Sequence, residues 1–204
     1  MQEDKARAAY LLLAQELSKE RAKATKILGD AVTAAMQDLS MAGGRFVVAL
    51  NAVDAAAYGL EQVEFLVAGH AGTAPRPLAK VASGGELARI ALAISVIASS
   101  ATATPTLIFD EVDSGIGGGV AEVVGRLLRR LGQERQVLCV THLPQVASQA
   151  NQHFEVSKES RNGKTLSRIE VLDAKSRVEE IARMLGGIEI TATTRKHARE
   201  LLAL

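Results

Sequence analysis

The amino-acid sequence predicts an α/β protein in which a mostly parallel sheet flanked by helices follows a long amino-terminal coiled-coil helix. The helix is predicted because residues 4–39 contain no proline and no glycine other than Gly29, while apolar residues recur at three- and four-residue steps. The sheet is predicted because an apolar strand, a helical stretch and a second apolar strand follow one another in mid-chain. Such a βαβ pattern makes its two strands parallel neighbours.

The composition limits the classes of protein that are possible. With 48% hydrophobic residues the chain is not mainly disordered, and with 3% aromatic residues and no tryptophan its core is built from Leu, Ile, Val and Ala. A net charge of +1 argues against a strongly electrostatic coat for nucleic acid. The single cysteine, Cys139, excludes a disulfide framework, and neither a signal peptide nor a stretch that could span a bilayer is found. We therefore expect a cytoplasmic protein without a membrane partner.

The amino-terminal helix carries a heptad-like apolar stripe. Its members are Tyr10, Leu13, Leu17, Ala24, Ile27, Ala31 and Ala34, and Glu20 is the only charged residue in the series. Two interpretations are open: an amphipathic helix packed on its own domain, or one helix of a coiled coil whose partner lies elsewhere.

Beyond a break at residues 40–44, apolar runs and turn residues give the order of the remaining elements. Strands are predicted at 45–50, 62–68 (joined to the first by a softer connector), 106–109, 136–141, 154–157 and 166–172. Helices are predicted from the Ser83–Glu86 segment to about 99, at 120–131, just after His142, at 177–185 and at 194–202. Asn162-Gly163 predicts a hairpin turn between the last two strands.

Two adjacent carboxylates, Asp110 and Glu111, follow the strand 106–109 at the sheet edge where α/β proteins bind ligands. One carboxylate can hold Mg²⁺ and the next can deprotonate an attacking water. A strand end that simply meets solvent is the alternative. His142 follows the neighbouring strand at the same edge, where a lone histidine would more often be structural. Their shared position favours a site.

Ser83-Gly84-Gly85-Glu86 reads first as a capping box at a helix start. That interpretation does not explain the two glycines, each of which costs about 1 kcal/mol relative to alanine inside a helix. Glycines at a helix amino terminus let backbone amides approach an anion, and a phosphate is the obvious candidate. Gly163-Lys164-Thr165, by contrast, is not a phosphate-binding loop, because position 158 is Lys rather than Gly and the tripeptide lies in a hairpin.

Taken in order, these motifs resemble the carboxyl-terminal half of an ABC-type ATPase head of the structural-maintenance-of-chromosomes (SMC) kind. Ser83–Glu86 matches the signature motif, Leu107–Glu111 the Walker B strand and His142 the switch histidine. The segments that resemble the bacterial DNA-repair members of this group are Leu78–Leu87, Ile108–Ile116, Val140–Ala147 and Ile181–Gly187. The resemblance covers essentially the whole chain.

The resemblance implies roles for individual residues. Asp110 would serve the magnesium ion, Glu111 would be the general base, and His142 would sense the γ-phosphate. Ser83, Gly84, Gly85 and Glu86 would bind the ATP of a second head, so that nucleotide joins two heads. The D-loop that follows Glu111 ends in Asp in transporter-type members, whereas Gly117 stands at that position here, and Asp113 would take over part of the nucleotide-binding role.

The resemblance also implies cofactors, partners and a domain division. Residues 1–42 would be a descending coiled-coil arm and 43–204 the carboxyl-terminal lobe of the head. ATP and Mg²⁺ would be the cofactors, and the partners would be an amino-terminal lobe with the Walker A loop, a second head, and DNA in the nucleoid. Without that lobe we expect no ATP turnover. The alternative is a non-catalytic ABC-fold scaffold, and the basic cluster of Lys19, Arg21, Lys23 and Lys26 is either a DNA contact or a solvated helix face.

Overall fold

A computed structural model describes residues 2–80, 83–98, 104–161, 164–186 and 189–203 of the chain. The chain divides into two units, Met1–Ser100 and Ala101–Leu204. None of the helices in these described ranges is both long and apolar enough to cross a membrane.

The first unit is organised by helix α1, Gln2–Asp38, which confirms the predicted long helix. Its carboxyl end is followed by Ser40 in the left-handed region, at φ 64°, a common way to end a helix. The helix packs on the antiparallel pair β1, Arg45–Ala56, and β2, Gly59–Ala68.

Strand β1 is longer than predicted, and the expected soft connector after residue 50 is part of the hairpin. Pairing continues to Ala56 and Gly59, although the register is irregular after Ala52. The hydroxyl of Tyr10 donates towards the carbonyls of Ala56 and Gly59 at 2.8 and 3.1 Å, which holds the tip of the hairpin against the helix. Tertiary contact therefore extends a segment of low strand propensity.

Helix α1 buries a face next to the predicted stripe. The residues that it buries fully are Ala14, Gly29, Val32 and Met36. Leu13 and Ile27 of the stripe stay 69% and 71% exposed, and Leu17 is also exposed. The helix thus packs on its own unit through one face and leaves an apolar stripe uncovered on another. That this stripe forms a coiled coil stays a prediction.

The first unit continues through a short strand and a turn to the signature segment. Strand β3, Arg76–Pro77, pairs with β2, and a 3-10 turn, Leu78–Lys80, follows it. Helix α2, Gly84–Ile97, confirms the predicted helix and contacts α1. Val81 and Ala82, which belong to the segment of the resemblance, lie outside the described residues.

The second unit contains the predicted βαβ element. Strand β4, Thr106–Phe109, and strand β5, Gln136–Cys139, are parallel and pair from Thr106↔Gln136 to Phe109↔Cys139. Helix α3, Gly118–Leu131, joins them. A four-residue helix α4, Pro144–Ala147, follows His142 as predicted.

Two details of this element were not predicted from the sequence. Strand β5 ends two residues early, since Val140 still bonds to Phe109 but Thr141 and His142 turn to Asp113 instead. The strands are also not buried on both faces: Phe109 is buried, whereas Ile108 is 71% exposed. A single crossover helix covers one face of a sheet, so the apolar run alone overstated the burial within this chain.

The chain ends in a hairpin and two helices. Strands β6, Phe154–Arg161, and β7, Lys164–Val171, are antiparallel and confirm the predicted hairpin, although its turn, Asn162-Gly163, lies outside the described residues. Lys164 and Thr165 begin a strand rather than a helix, as expected if they do not form a phosphate loop. Helices α5, Ala174–Gly186, and α6, Ala192–Leu202, pack together around Ile181, Ala182 and Ala198.

Candidate functional site

A cleft lies where strands β4 and β5 end, and it brings together the polar side chains predicted there. Its volume is about 490 Å³. The residues that line it are Asp110, Glu111, Asp113, Ser114, Gly115, Val140, Thr141 and His142. Parallel strands deliver their carboxyl ends to one edge, which is why residues about thirty positions apart in sequence meet here.

Glu111 has an unusual backbone. Its φ is 57°, in the left-handed region that residues with a side chain rarely adopt. Ser40 and Ala203 share this region, but both follow helix ends, whereas Glu111 follows a strand. The amide of Glu111 donates to Oδ1 of Asp110 at 2.9 Å, and its carbonyl accepts from Ser114 at 3.0 Å. This tight turn leaves both carboxylates exposed beside the cleft.

Asp113 joins the two loops that form the cleft. Its Oδ2 accepts from the hydroxyl of Thr141 at 2.5 Å and from the backbone amide of His142 at 3.0 Å. The same oxygen lies 3.3 Å from Nδ1 of His142. The oxygen of Thr141 in turn accepts from the amide of Leu143 at 3.1 Å. Sequence reasoning assigned no role to Thr141, because a threonine at the end of a strand carries no signal of its own.

The segment after His142 packs against α5 and α3. The guanidinium of Arg177 donates to the carbonyls of Ala147, Ser148 and Ala150 at the end of α4. Burial, and then the charge of Arg129, lower the pKa of Arg177. A side chain added at Gly125 of α3 would lie 3.0 Å from the carbonyl of Gln145, so the glycine allows α4 to approach closely.

Cys139 lies at the end of β5, close to the acidic cleft. Burial, followed by the charges of Asp113 and Asp110, raises the pKa of its thiol to about 12. The thiol therefore stays protonated at neutral pH and is not a nucleophile in this cleft.

The signature segment forms the start of α2 in the first unit. Ser83 is the N-cap, and its Oγ accepts from the amide of Glu86 at 3.4 Å, as the capping interpretation requires. Ser83 and Gly84 are exposed, whereas Gly85 is buried. Only the first glycine of the pair is thus open to solvent.

Asp110 is suited to Mg²⁺ by its chemistry. Mg²⁺ prefers oxygen ligands and is bound by one or two carboxylates together with substrate phosphates and waters. The exposed carboxylate of Asp110 at the edge of an open cleft fits that pattern. Over the ranges that the structure describes, no three His, Cys, Asp or Glu side chains form a group that could hold a metal.

The basic cluster on α1 is largely engaged in ion pairs. Lys23 pairs with Glu20 and Lys26 with Asp30, each at 2.6 Å, and Arg21 lies 3.5 Å from Glu61. The exposed pairs of Lys23 and Lys26 are typical of a solvated helix face, whereas the Arg21–Glu61 pair is partly buried between α1 and β2.

Comparison with known proteins places this geometry in a family. No family model matches the chain. The DNA repair protein RecN of Xylella fastidiosa (strain Temecula1 / ATCC 700964) is 47% identical over 192 residues, which cover 93% of this chain and 34% of the relative. RecN of Vibrio cholerae is 45% identical over 195 residues, covering 95% and 35%. The chain therefore spans about a third of the length of these relatives.

Solved structures share the fold at low sequence identity. An Smc head domain with a coiled coil and joint from Pyrococcus yayanosii has a TM-score of 0.59 at 21% identity, covering 82% of this chain and 31% of that chain. A structure described under ATP-driven dimerization and DNA-stimulated activation of SMC ATPases has a TM-score of 0.51 at 19% identity, covering 84% and 99%. The predicted fold class is confirmed. The chain belongs to the RecN family, whose carboxyl-terminal part it represents, and it has the fold of the carboxyl-terminal lobe of an SMC-type ATPase head.

Proposed function

We propose that this chain supplies the magnesium-and-base half of an ATP-hydrolysing site in a complete protein that acts in DNA repair. The observation that carries the proposal is the convergence of Asp110, Glu111 and His142 on one cleft, with Glu111 held in a strained turn. Backbone strain persists only where the surrounding structure enforces it, and it concentrates at functional sites. A RecN relative that bears the name DNA repair protein supports the biological setting.

Each residue at the cleft has a task that its position suits. Asp110 would hold Mg²⁺, which neutralises developing charge on the phosphate oxygens when it is bound. Glu111 is exposed and ionisable, and its carboxylate would orient the attacking water and accept its proton. His142 would contact the γ-phosphate from the opposite loop, because it follows the neighbouring strand.

The signature segment would act on the nucleotide of another head. Ser83 and Gly84 are exposed at the amino end of α2, a helix of 14 residues whose amino terminus attracts anions. We propose that Ser83–Glu86 close over ATP bound to a second head. The description of a structural neighbour in terms of ATP-driven dimerization supports this arrangement. DNA is the proposed target of the assembled protein.

An amino-terminal lobe with the Walker A loop would complete the site. Apolar side chains at the carboxyl-terminal unit are exposed as if prepared for a covering layer: Ile108, Leu138 and Val140 on the parallel pair, and Phe154, Val156, Ile169 and Val171 on the last hairpin. Large exposed apolar surfaces mark sites of association. Because the chain spans about a third of its relatives' length, the covering layer is proposed to be the remainder of the same protein.

The experiment that tests this function is ATP hydrolysis by this chain mixed with the Walker A lobe. We expect phosphate release only in the mixture. Glu111→Gln is expected to slow release by a factor of about 10²–10⁴, the usual contribution of a general base, while ATP still binds and head dimers persist.

The matched control is Glu122→Gln, which removes an exposed carboxylate on α3 that pairs with Arg126 outside the cleft. Normal hydrolysis by Glu111→Gln would remove Glu111 from the mechanism. A mixture that binds tightly but releases no phosphate would support a non-catalytic scaffold instead.

A further inference from the structure

We infer that Asp113 is a positioning residue, which acts on hydrolysis through His142 and does not touch the nucleotide. This inference rests on the proposed role of His142 in ATP hydrolysis. It concerns a carboxylate that the sequence placed near the nucleotide only by its position in the D-loop.

The contrast in exposure between the two side chains is the first reason. The side chain of Asp113 is 4% exposed, whereas that of His142 is 73% exposed. A carboxylate buried to this degree has to be satisfied by donors within the protein. A phosphate of ATP would bring negative charge rather than a donor, so the buried carboxylate is unsuited to contact it.

The donors around Asp113 all come from the loop after β5. Oδ2 accepts from the hydroxyl of Thr141 at 2.5 Å and from the backbone amide of His142 at 3.0 Å, and Nδ1 of the ring lies 3.3 Å from the same oxygen. Thr141 and His142 are therefore fixed to a residue two positions beyond Glu111. The carboxylate links the loop that carries the general base to the loop that carries the histidine.

This link fixes the backbone from which the ring of His142 projects. The buried carboxylate holds the amide of His142 and the side chain of the preceding Thr141 at the same oxygen. The ring itself lines the cleft and is 73% exposed, so its place depends on the backbone that carries it. Asp113 would thereby keep His142 within reach of the γ-phosphate.

The test uses the complete protein, in which this chain is joined to the proposed Walker A lobe. Asp113→Asn keeps the size of the side chain, but it replaces the charged acceptor of the hydrogen bonds from Thr141 and His142 with a weaker neutral one. We expect kcat for ATP to fall about 10- to 100-fold with KM unchanged within about twofold. The control is Asp54→Asn, which changes an exposed aspartate on β1 and is expected to leave both constants unchanged.

A double-mutant cycle separates action through the ring from any other action. In a His142→Ala background, Asp113→Asn is expected to produce no further loss, because the group that it positions is gone. An equal loss in both backgrounds, or a rise in KM with kcat unchanged, would overturn the inference.

Amide hydrogen exchange gives a readout that does not depend on turnover. We expect the backbone amide of His142, which donates to Asp113, to exchange slowly in the wild type and faster in Asp113→Asn. Fast exchange of this amide in the wild type would refute the inference even if the variant fails to fold.

The two proposals fail in different ways. A wild-type protein without ATPase activity, or a His142→Ala variant as active as the wild type, contradicts the proposed function. It also contradicts the catalytic part of this inference, while amide exchange still decides whether Asp113 holds the backbone at His142.

Discussion

The two long antiparallel hairpins of the chain are built alike, but one is covered by a helix and the other has an exposed apolar face. The hairpin β1–β2 lies along α1 and buries Phe46, Val67 and Ala68. In the hairpin β6–β7, the directly paired residues Phe154↔Val171 and Val156↔Ile169 are all exposed, by 47% to 69%. Two adjacent rows of apolar side chains therefore share one uncovered face.

The difference shows which hairpin is covered by residues of this chain and which hairpin needs another segment to cover it. A two-stranded hairpin is marginally stable by itself and needs a helix or further strands on its apolar face. The first hairpin finds that helix within the chain. The second has the residues for a core but no cover on that face, which fits the proposal that another part of the protein packs there.

The largest expected effect is the loss of a phenylalanine from the covered hairpin. Phe46 is 2% exposed and its ring centroid lies 5.4 Å from that of Phe65. Phe46→Ala should lower the free energy of unfolding by about 3–5 kcal/mol, since it removes apolar contacts and leaves a cavity. The matched variant Phe154→Ala should cost less than about 1 kcal/mol in this chain. Denaturant unfolding followed by circular dichroism measures both, and equal losses would break the comparison.

A charge on the uncovered hairpin should act on assembly rather than on folding. Val156→Asp is expected to leave the denaturation midpoint of this chain nearly unchanged, because position 156 is exposed. In the mixture with the Walker A lobe, the same charge would be buried without a partner. We expect affinity to fall at least about tenfold, or about 1.4 kcal/mol, in titration calorimetry. The control Thr165→Asp lies near the end of the hairpin, and binding weakened equally by both variants would contradict a specific apolar contact.

Substitution of two helical glycines, one in each unit, should change the stability by smaller amounts. A side chain at Gly29 of α1 would meet the carbonyl of Phe46 at 3.5 Å, an ordinary contact. Gly29→Ala should therefore stabilise the chain by about 0.5–1 kcal/mol through helix propensity. Gly125→Ala should instead destabilise, because the added carbon would lie 3.0 Å from the carbonyl of Gln145 and 2.7 Å from Cγ of Gln149. Thermal unfolding compares the two, and stabilisation by Gly125→Ala would show that α4 can yield.

The smallest expected effect is a pH dependence at the exit of the second hairpin. Asp173 caps α5, where its Oδ1 accepts from the amide of Ser176 at 2.7 Å. Hydrogen bonds from Ser176, backbone first, lower the pKa of Asp173 below its ordinary value of 3.8. Since the folded pKa is lowered, the stabilisation is present above that ordinary value and is lost as the pH falls through the folded pKa.

The stability difference between the wild type and Asp173→Asn should therefore shrink on acidification below that value. Unfolding midpoints measured from neutral to acidic pH test this, and a difference that grows in acid would reverse the assignment.

The sequence predicts the sheet edge that carries Asp110, Glu111 and His142 better than it predicts what surrounds that edge. The clustering of Asp110, Glu111 and His142 could be predicted because two apolar strands joined by a right-handed crossover can be arranged in few ways. The hydrogen bond between Asp113 and Thr141 could not be predicted, because a side-chain pair separated by 28 positions leaves no periodic pattern in the sequence.

Burial was harder to predict than topology. The heptad pattern identified apolar residues such as Ile27, but the helix packs on its own unit through the adjacent face containing Val32 and Met36. The apolar run ending in Phe109 predicted a strand, but it did not indicate that one face of that strand is exposed within this chain. A hydrophobic pattern identifies the residues that burial would stabilise, but it does not identify the segment that will cover them.

The attachment of α1 to the first hairpin has a mechanical consequence. Tyr10 binds the hairpin tip, Arg21 reaches Glu61 midway, and Thr33 both donates to and accepts from the backbone of Phe46 near the strand's start. From Tyr10 to Thr33 the helix advances about 35 Å at its normal rise. The hairpin β1–β2 runs beside this length of helix and stiffens it. Bending of this helix should therefore begin on the amino-terminal side of Tyr10, where these three contacts no longer hold it to the hairpin.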